Sequence, residues 1–137
     1  MQPDDHLRLT TNLNLGGDLL GLMANSTRIA IQRFSFEGTP GPVQSLSFLD
    51  SAQIAPRSIS LAMPESGPNA FIAAVQPQTQ QVQLIAFSVN GIFEIPWLTN
   101  PWPLSDPETR TAIAVGPNRH IFVAAENQLR VFDATLV

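Results

Sequence analysis

Thr111-Ala112-Ile113-Ala114-Val115, then Gly116-Pro117-Asn118-Arg119, then His120-Ile121-Phe122-Val123-Ala124-Ala125, then Glu126-Asn127, then Gln128-Leu129-Arg130-Val131-Phe132-Asp133 follow one another near the end of the chain. Short runs rich in Val, Ile and Phe between Gly, Pro and Asn breaks are strand signals, so this stretch reads as strand, turn, strand, turn, strand. A middle segment matches it piece by piece: Ser58 to Ala62, a turn at Pro64 to Asn69, Ala70 to Val75, a polar turn at Gln76 to Gln80, and Gln81 to Phe87. A first segment follows the same plan less sharply, with Asn12 to Leu15, the turn Gly16-Gly17-Asp18, Leu19 to Ala24, the turn Asn25-Ser26-Thr27 and Arg28 to Phe34.

The ends of the third strands support this alignment. Phe34-Ser35-Phe36-Glu37-Gly38 and Phe87-Ser88-Val89-Asn90-Gly91 share Phe-Ser and a glycine at one offset. A fourth strand is expected after each: Val43 to Phe48, and Ile92 to Ile95 beyond the hairpin dipeptide Asn90-Gly91. Twelve prolines and eight glycines spread through 137 residues leave little room for long helices. The expectation is one antiparallel all-β domain over residues 1–137, with units at 12–50, 58–96 and 111–137 and a Pro/Trp-rich connection at 96–108.

A spacing of roughly 45 to 54 residues between equivalent positions is close to that of propeller blades. The pattern Ile113 to Asn118, Ile121 to Ala125 and Leu129 to Asp133 resembles a β-propeller blade of the broad WD40-like or NHL-like kind. No Trp-Asp dipeptide and no Gly-His signature accompanies it. The resemblance implies about three incomplete blades, whereas closed propellers hold about four to eight. Such an array leaves edges and a blade face uncovered. Identical chains completing a ring, a different protein covering the edges, and a compact β-sandwich or barrel are the three ways to resolve this.

The composition bears on partners. Hydrophobic residues make up 44%, enough for a core, and charged residues only 13%, against roughly 25% in a typical soluble domain. All seven basic residues are arginine. Interfaces are depleted in Lys and keep Arg, so this balance points to a surface covered by partners, with genome bias as the alternative source. A net charge of −4 with scattered arginines argues against a nucleic-acid binder. No apolar run is long enough to span a bilayer, and the polar start Met1 to His6 lacks a signal-peptide pattern, so a cytoplasmic location is expected.

Few chemical motifs stand out. Cysteine is absent, which removes disulfides, thiolate metal sites and thiol nucleophiles. His6 and His120 are far apart, and Asp4-Asp5-His6 reads as a solvated tip rather than a metal site. No Gly-x-Ser-x-Gly elbow, phosphate-binding loop or dinucleotide fingerprint occurs. No catalytic, cofactor or metal residue is therefore assigned. The distinctive stretch is Ile95 to Leu104, holding both tryptophans. Proline pre-orders a chain and tryptophan is enriched at interface hot spots, so Trp97, Leu98, Pro101 and Trp102 are the candidate partner contacts. The competing reading tucks these tryptophans onto the chain's own core.

These observations favour a non-enzymatic protein–protein interaction or assembly subunit, binding copies of itself or a larger complex. The alternative is a small-ligand module, possibly for carbohydrate, with the aromatic loop stacking on the ligand. An enzyme would need a site assembled across subunits.

Overall fold

Strand β1 (His6–Thr10) pairs antiparallel with β2 (Leu19–Ala24), β2 with β3 (Ile29–Phe34), and β3 with β4 (Pro40–Ser45). This first sheet is thus a meander of hairpins, and the pattern recurs twice. The second sheet runs β5 (Ser60–Ala62), β6 (Asn69–Gln76), β7 (Gln81–Ser88) and β8 (Glu94–Pro96) in order, all antiparallel. The third holds β9 (Thr111–Val115), β10 (His120–Ala125) and β11 (Gln128–Asp133), with β10 in the middle. This computed structural model describes residues 6–11, 13–25, 28–45, 54–67, 69–88, 94–96, 102–106, 109–116 and 120–133. Among them there is no α-helix, and no sheet closes on itself as a barrel.

The second sheet is the middle layer. Along a strand, successive side chains point to opposite faces. One face of β6 and β7 carries Ala70, Ile72, Ile85 and Phe87, which pack with Leu20, Leu22, Ile29 and Ile31 of the first sheet. The other face carries Phe71, Ala73, Leu84 and Ala86, which pack with Ile121 and Val123 of the third. A strand covered on both faces needs an almost unbroken apolar run, and Ala70 to Val75 is one, every residue of it buried.

The first strands of the three sheets lie side by side, β5 packing against both β1 and β9. Polar side chains pin them. Arg8 Nε donates to the Ile59 carbonyl at 2.8 Å, linking β1 to the entry of β5. The Thr111 hydroxyl, on β9, donates to the Ser58 carbonyl at 2.6 Å and lies 2.7 Å from Ser60 Oγ. Ser58 Oγ in turn accepts from the Val75 amide at 2.7 Å and donates to the Ala55 carbonyl at 2.7 Å. This group satisfies the backbone of the 3-10 turn Pro56–Ser58 where it passes between two sheets.

The structure departs from the sequence-based expectation mainly in the first unit. It opens with β1 at His6, earlier than the expected start at residue 12. Leu13–Leu15, expected as a strand, forms a 3-10 turn. Gly16 and Gly17 follow with φ of 60° and 95°, a left-handed pair that glycine adopts without steric cost and that breaks extended backbone. The fourth strand of that unit is Pro40–Ser45, running through the expected loop. Its two prolines are tolerated because β4 is an edge strand with β3 as its only partner in the sheet. The hairpin dipeptide Asn90-Gly91 lies outside the described residues. The barrel alternative does not occur.

Replacing Thr111 with Val keeps the shape and removes the hydroxyl. It leaves the Ser58 carbonyl without that donor, while Ser60 Oγ keeps its bond to the Ala73 carbonyl, a cost of about 1–3 kcal/mol. Urea unfolding of Thr111→Val should show a lower midpoint at unchanged slope, and an unchanged midpoint would refute a structural role for this bridge.

Candidate interaction surfaces

Of the residues singled out as partner contacts, Trp97, Leu98 and Pro101 lie outside the described residues. Trp102 is placed, and it is 1% exposed. Its indole sits in the core between the second and third sheets, with Val82, Leu84 and Ile121 in the same cluster. The Arg130 guanidinium covers the ring at 4.6 Å from its centroid, a cation–π arrangement. Backbone bonds fix the segment: the Val82 amide donates to the Trp102 carbonyl at 3.1 Å and the Leu104 amide to the Gln80 carbonyl at 2.8 Å. Trp102 therefore anchors the connection to the chain's own core and presents no surface for a partner or for stacking on a sugar.

Glu126 secures the same connection from the other side. Its carboxylate accepts from the Ser105 amide and from the Ser105 hydroxyl, each at 2.7 Å. These bonds hold the Glu126 pKa below the ordinary glutamate value, the hydroxyl contributing most.

Among the described residues, apart from Leu13 and Phe36 in turns, the exposed large hydrophobic side chains lie on the first and third sheets. On the third, Leu129 is 64% exposed, Val131 53% and Phe122 37%. The inward face carries Ile113, Val115, Ile121, Val123 and Phe132, which meet the middle sheet. On the first sheet, Leu7, Leu9, Leu19 and Val43 are exposed. Registers Leu7↔Met23, Leu9↔Gly21 and Gln32↔Val43 place most of these side chains on one outward face. A cleft of ≈ 360 Å³ opens on this face, lined by Leu7, Gly21, Met23, Phe34 and Val43 among others. The Phe34 ring lies across Gly21 and occupies the space that a side chain there would take; a Cβ would meet Phe34 Cε2 at 2.8 Å. Phe122 lies over Gly116 in the same manner, 2.9 Å from where a Cβ would stand.

The second and third sheets place like residues at like register positions. Phe71-Ile72-Ala73-Ala74 of β6 corresponds to Phe122-Val123-Ala124-Ala125 of β10. Ala73 pairs with Leu84, and Ala124 with Leu129; Phe71 pairs with Ala86, and Phe122 with Val131. In the middle sheet Phe71, Ala73, Leu84 and Ala86 are completely buried against the third. Their counterparts on the third sheet lie on its outward face, where Phe122, Leu129 and Val131 are exposed and no other sheet is present among the described residues.

Sequence reasoning did not find these faces, although a signal was present. Ile121 to Ala125 is apolar at every position, and Leu129, Val131 and Phe132 flank a single arginine. A strand with one solvated face alternates apolar and polar residues, whereas these strands read like ones covered on both sides.

Among the described residues no group of three or more His, Cys, Asp or Glu side chains is placed to hold a metal ion, and no helix is long and apolar enough to cross a membrane. No protein-family model, curated protein or solved structure matches the chain.

Two measurements check the placement of the connection. Trp102→Ala should cost about 3–5 kcal/mol of stability in the isolated chain, because it empties a buried aromatic site; a loss below about 0.5 kcal/mol, normal for a surface position, would refute its core role. For Glu126 the lowered folded pKa means that its contribution is full above the ordinary glutamate value and is lost as pH falls through the folded one. Stability measured from neutral to acid pH should therefore fall less steeply in Glu126→Gln than in the parent.

Proposed function

We propose that this chain is an assembly module: three consecutive blade-like sheets whose two end faces are covered by further β-sheets in the working complex. One observation carries the reading. Phe71, Ala73, Leu84 and Ala86 are buried against the third sheet, and Phe122, Ala124, Leu129 and Val131 occupy the matching register positions on a face that no sheet of the described residues covers. The two arrangements differ only in Ala86 against Val131, and among the described residues one of them is covered.

The meander order of each sheet and the side-by-side first strands support a propeller-like array as the reading. Exposed apolar faces of this kind mark interaction sites in soluble proteins. The function assigned is protein–protein assembly without catalysis, mediated by sheet faces instead of the Trp-Pro connection.

A dye that fluoresces on apolar surface tests this independently of which partner is bound. The chain diluted to a monomer should bind the dye, and the double substitution Leu9→Glu with Val131→Glu should suppress most of the signal while the far-ultraviolet circular dichroism stays that of the parent. A folded monomer that binds no dye would overturn the reading.

A further inference from the structure

We propose that Ser105 is a phosphorylation site, and that transfer of a phosphoryl group to its hydroxyl unlatches the Trp102 segment from the junction of the second and third sheets. The site lies at a joint within the chain, so it stands apart from the assembly proposed above.

Ser105 is exposed, and a cleft of ≈ 220 Å³ opens beside it, lined by Trp102, Glu126 and Gln128 among others. Its hydroxyl donates to Glu126 Oε2 and its amide to Glu126 Oε1, each at 2.7 Å. The carboxylate sits on a fixed support: Glu126 opens the two-residue turn between β10 and β11 with a φ of 54°, the geometry that a tight hairpin requires. The segment held by this clasp carries core residues. Trp102 and Leu104 are both buried between the second and third sheets. Backbone contacts at Val82, Gln80 and Gln81 dock the same stretch along β7 and the turn before it. A bond at an exposed hydroxyl therefore secures a strap that contributes an indole to the core.

Ser58, Ser60 and Ser88 are buried, out of reach of a modifying enzyme, whereas Ser105 combines exposure with a bond to a carboxylate. In the sequence, Asp106 and Glu108 follow it at one and three residues. A serine kinase with a basic substrate groove selects such a segment by charge complementarity. The phosphoryl donor is ATP. Ser105 Oγ attacks the γ-phosphorus, the new Oγ–P bond forms as the bond to the β,γ-bridging oxygen breaks, ADP leaves with that electron pair, and the hydroxyl proton passes to the base of the kinase.

The product reverses the electrostatics of the clasp. A phosphoserine carries a charge of about −1.5 to −2 near neutral pH and has no hydroxyl left to donate. Glu126 then faces an anion where it had a donor, and Asp106 adds a further negative charge beside it. The cation on this segment, Arg130, lies over the Trp102 ring at 4.6 Å from its centroid. Like charges at hydrogen-bond distance disrupt the segment that carries them, so the strap loses its lock on the side of the third sheet.

The experiment incubates the purified chain with ATP, magnesium and a serine kinase that selects acidic residues after its acceptor, and locates the modified residue by tandem mass spectrometry. A Trp97→Phe background leaves Trp102 as the sole tryptophan, so acrylamide quenching of its fluorescence reports the strap. The expected result is phosphate on Ser105, a lower urea midpoint and stronger quenching of Trp102 than in the unmodified chain. In Glu126→Gln the same modification should lower the midpoint less, because the repelling carboxylate is gone. Absence of phosphate on Ser105, with a control peptide modified in the same tube, overturns the site. A modified chain whose midpoint is unchanged or raised overturns the unlatching, and so does an equal shift in the parent and in Glu126→Gln. Should circular dichroism show Trp97→Phe unfolded, hydrogen exchange of the Val82 and Leu104 amides in the parent sequence replaces quenching; faster exchange after modification is expected, and unchanged exchange overturns the unlatching.

Discussion

The structure depends on the burial of its middle sheet from both sides. β6 and β7 form the longest ladder in the molecule, eight residue pairs from Asn69↔Ser88 to Gln76↔Gln81. Their side chains contribute to both cores. The first sheet packs on Ile72, Ile85 and Phe87 together with Ile54, Ile59 and Met63 beside β5, and the third on Phe71, Leu84 and the Trp102 segment. Among the described residues neither outer sheet has a second layer on its other side. Because the hydrophobic effect scales with apolar area removed from water, the two outer sheets are each held by one face alone. The polar links at Arg8 and Thr111 act at the line where the first strands converge, and they fix the angle between layers that apolar contact alone does not specify.

The sequence makes the third unit fully legible: all three of its strands fall where the alternation of Ile, Val and Phe between turn residues places them. The strand β2 is equally legible, and β6 and β7 extend one or two residues beyond their apolar runs. The first unit is hard to read for physical reasons. Leu13-Asn14-Leu15 alternates like a strand, but the left-handed glycine pair behind it terminates extended backbone. His6-Leu7-Arg8-Leu9-Thr10 also alternates, yet its neighbours Asp4 and Asp5 make it look like a polar tail. Strand β4, Pro40-Gly41-Pro42-Val43-Gln44-Ser45, has the composition of a loop and becomes an edge strand only because β3 offers it partners for its remaining amides and carbonyls.

The interaction surface was harder to see than the fold because sequence patterns report that a residue is apolar and say little about what covers it. Tryptophan drew attention to the connection at residues 96–108, where hot-spot statistics favour a partner. Trp102 instead fills a gap between the second and third sheets, and Arg130 caps it. The informative signal was quieter: apolar residues on both parities of β10, and Leu129 and Val131 on the parity of β11 opposite to Phe132. That pattern is the one of strands covered on both faces, and among the described residues one face of the third sheet is covered.

The charge balance then has a structural reading. Solvated charges, lysine above all, are how sheet proteins keep exposed faces and edges from associating, and this chain has no lysine at all. Three of its arginines are engaged within the fold instead. Arg8 reaches the Ile59 carbonyl, Arg33 bonds Asp18 at 2.9 Å and the Leu15 carbonyl at 3.0 Å, and Arg130 lies on Trp102. The cations near the outer sheets thus serve as connectors between segments, and none of them stands in the central rows of either outward face. Their placement in the joints leaves the central rows of both outward faces apolar, and the assembly proposed above rests on that arrangement.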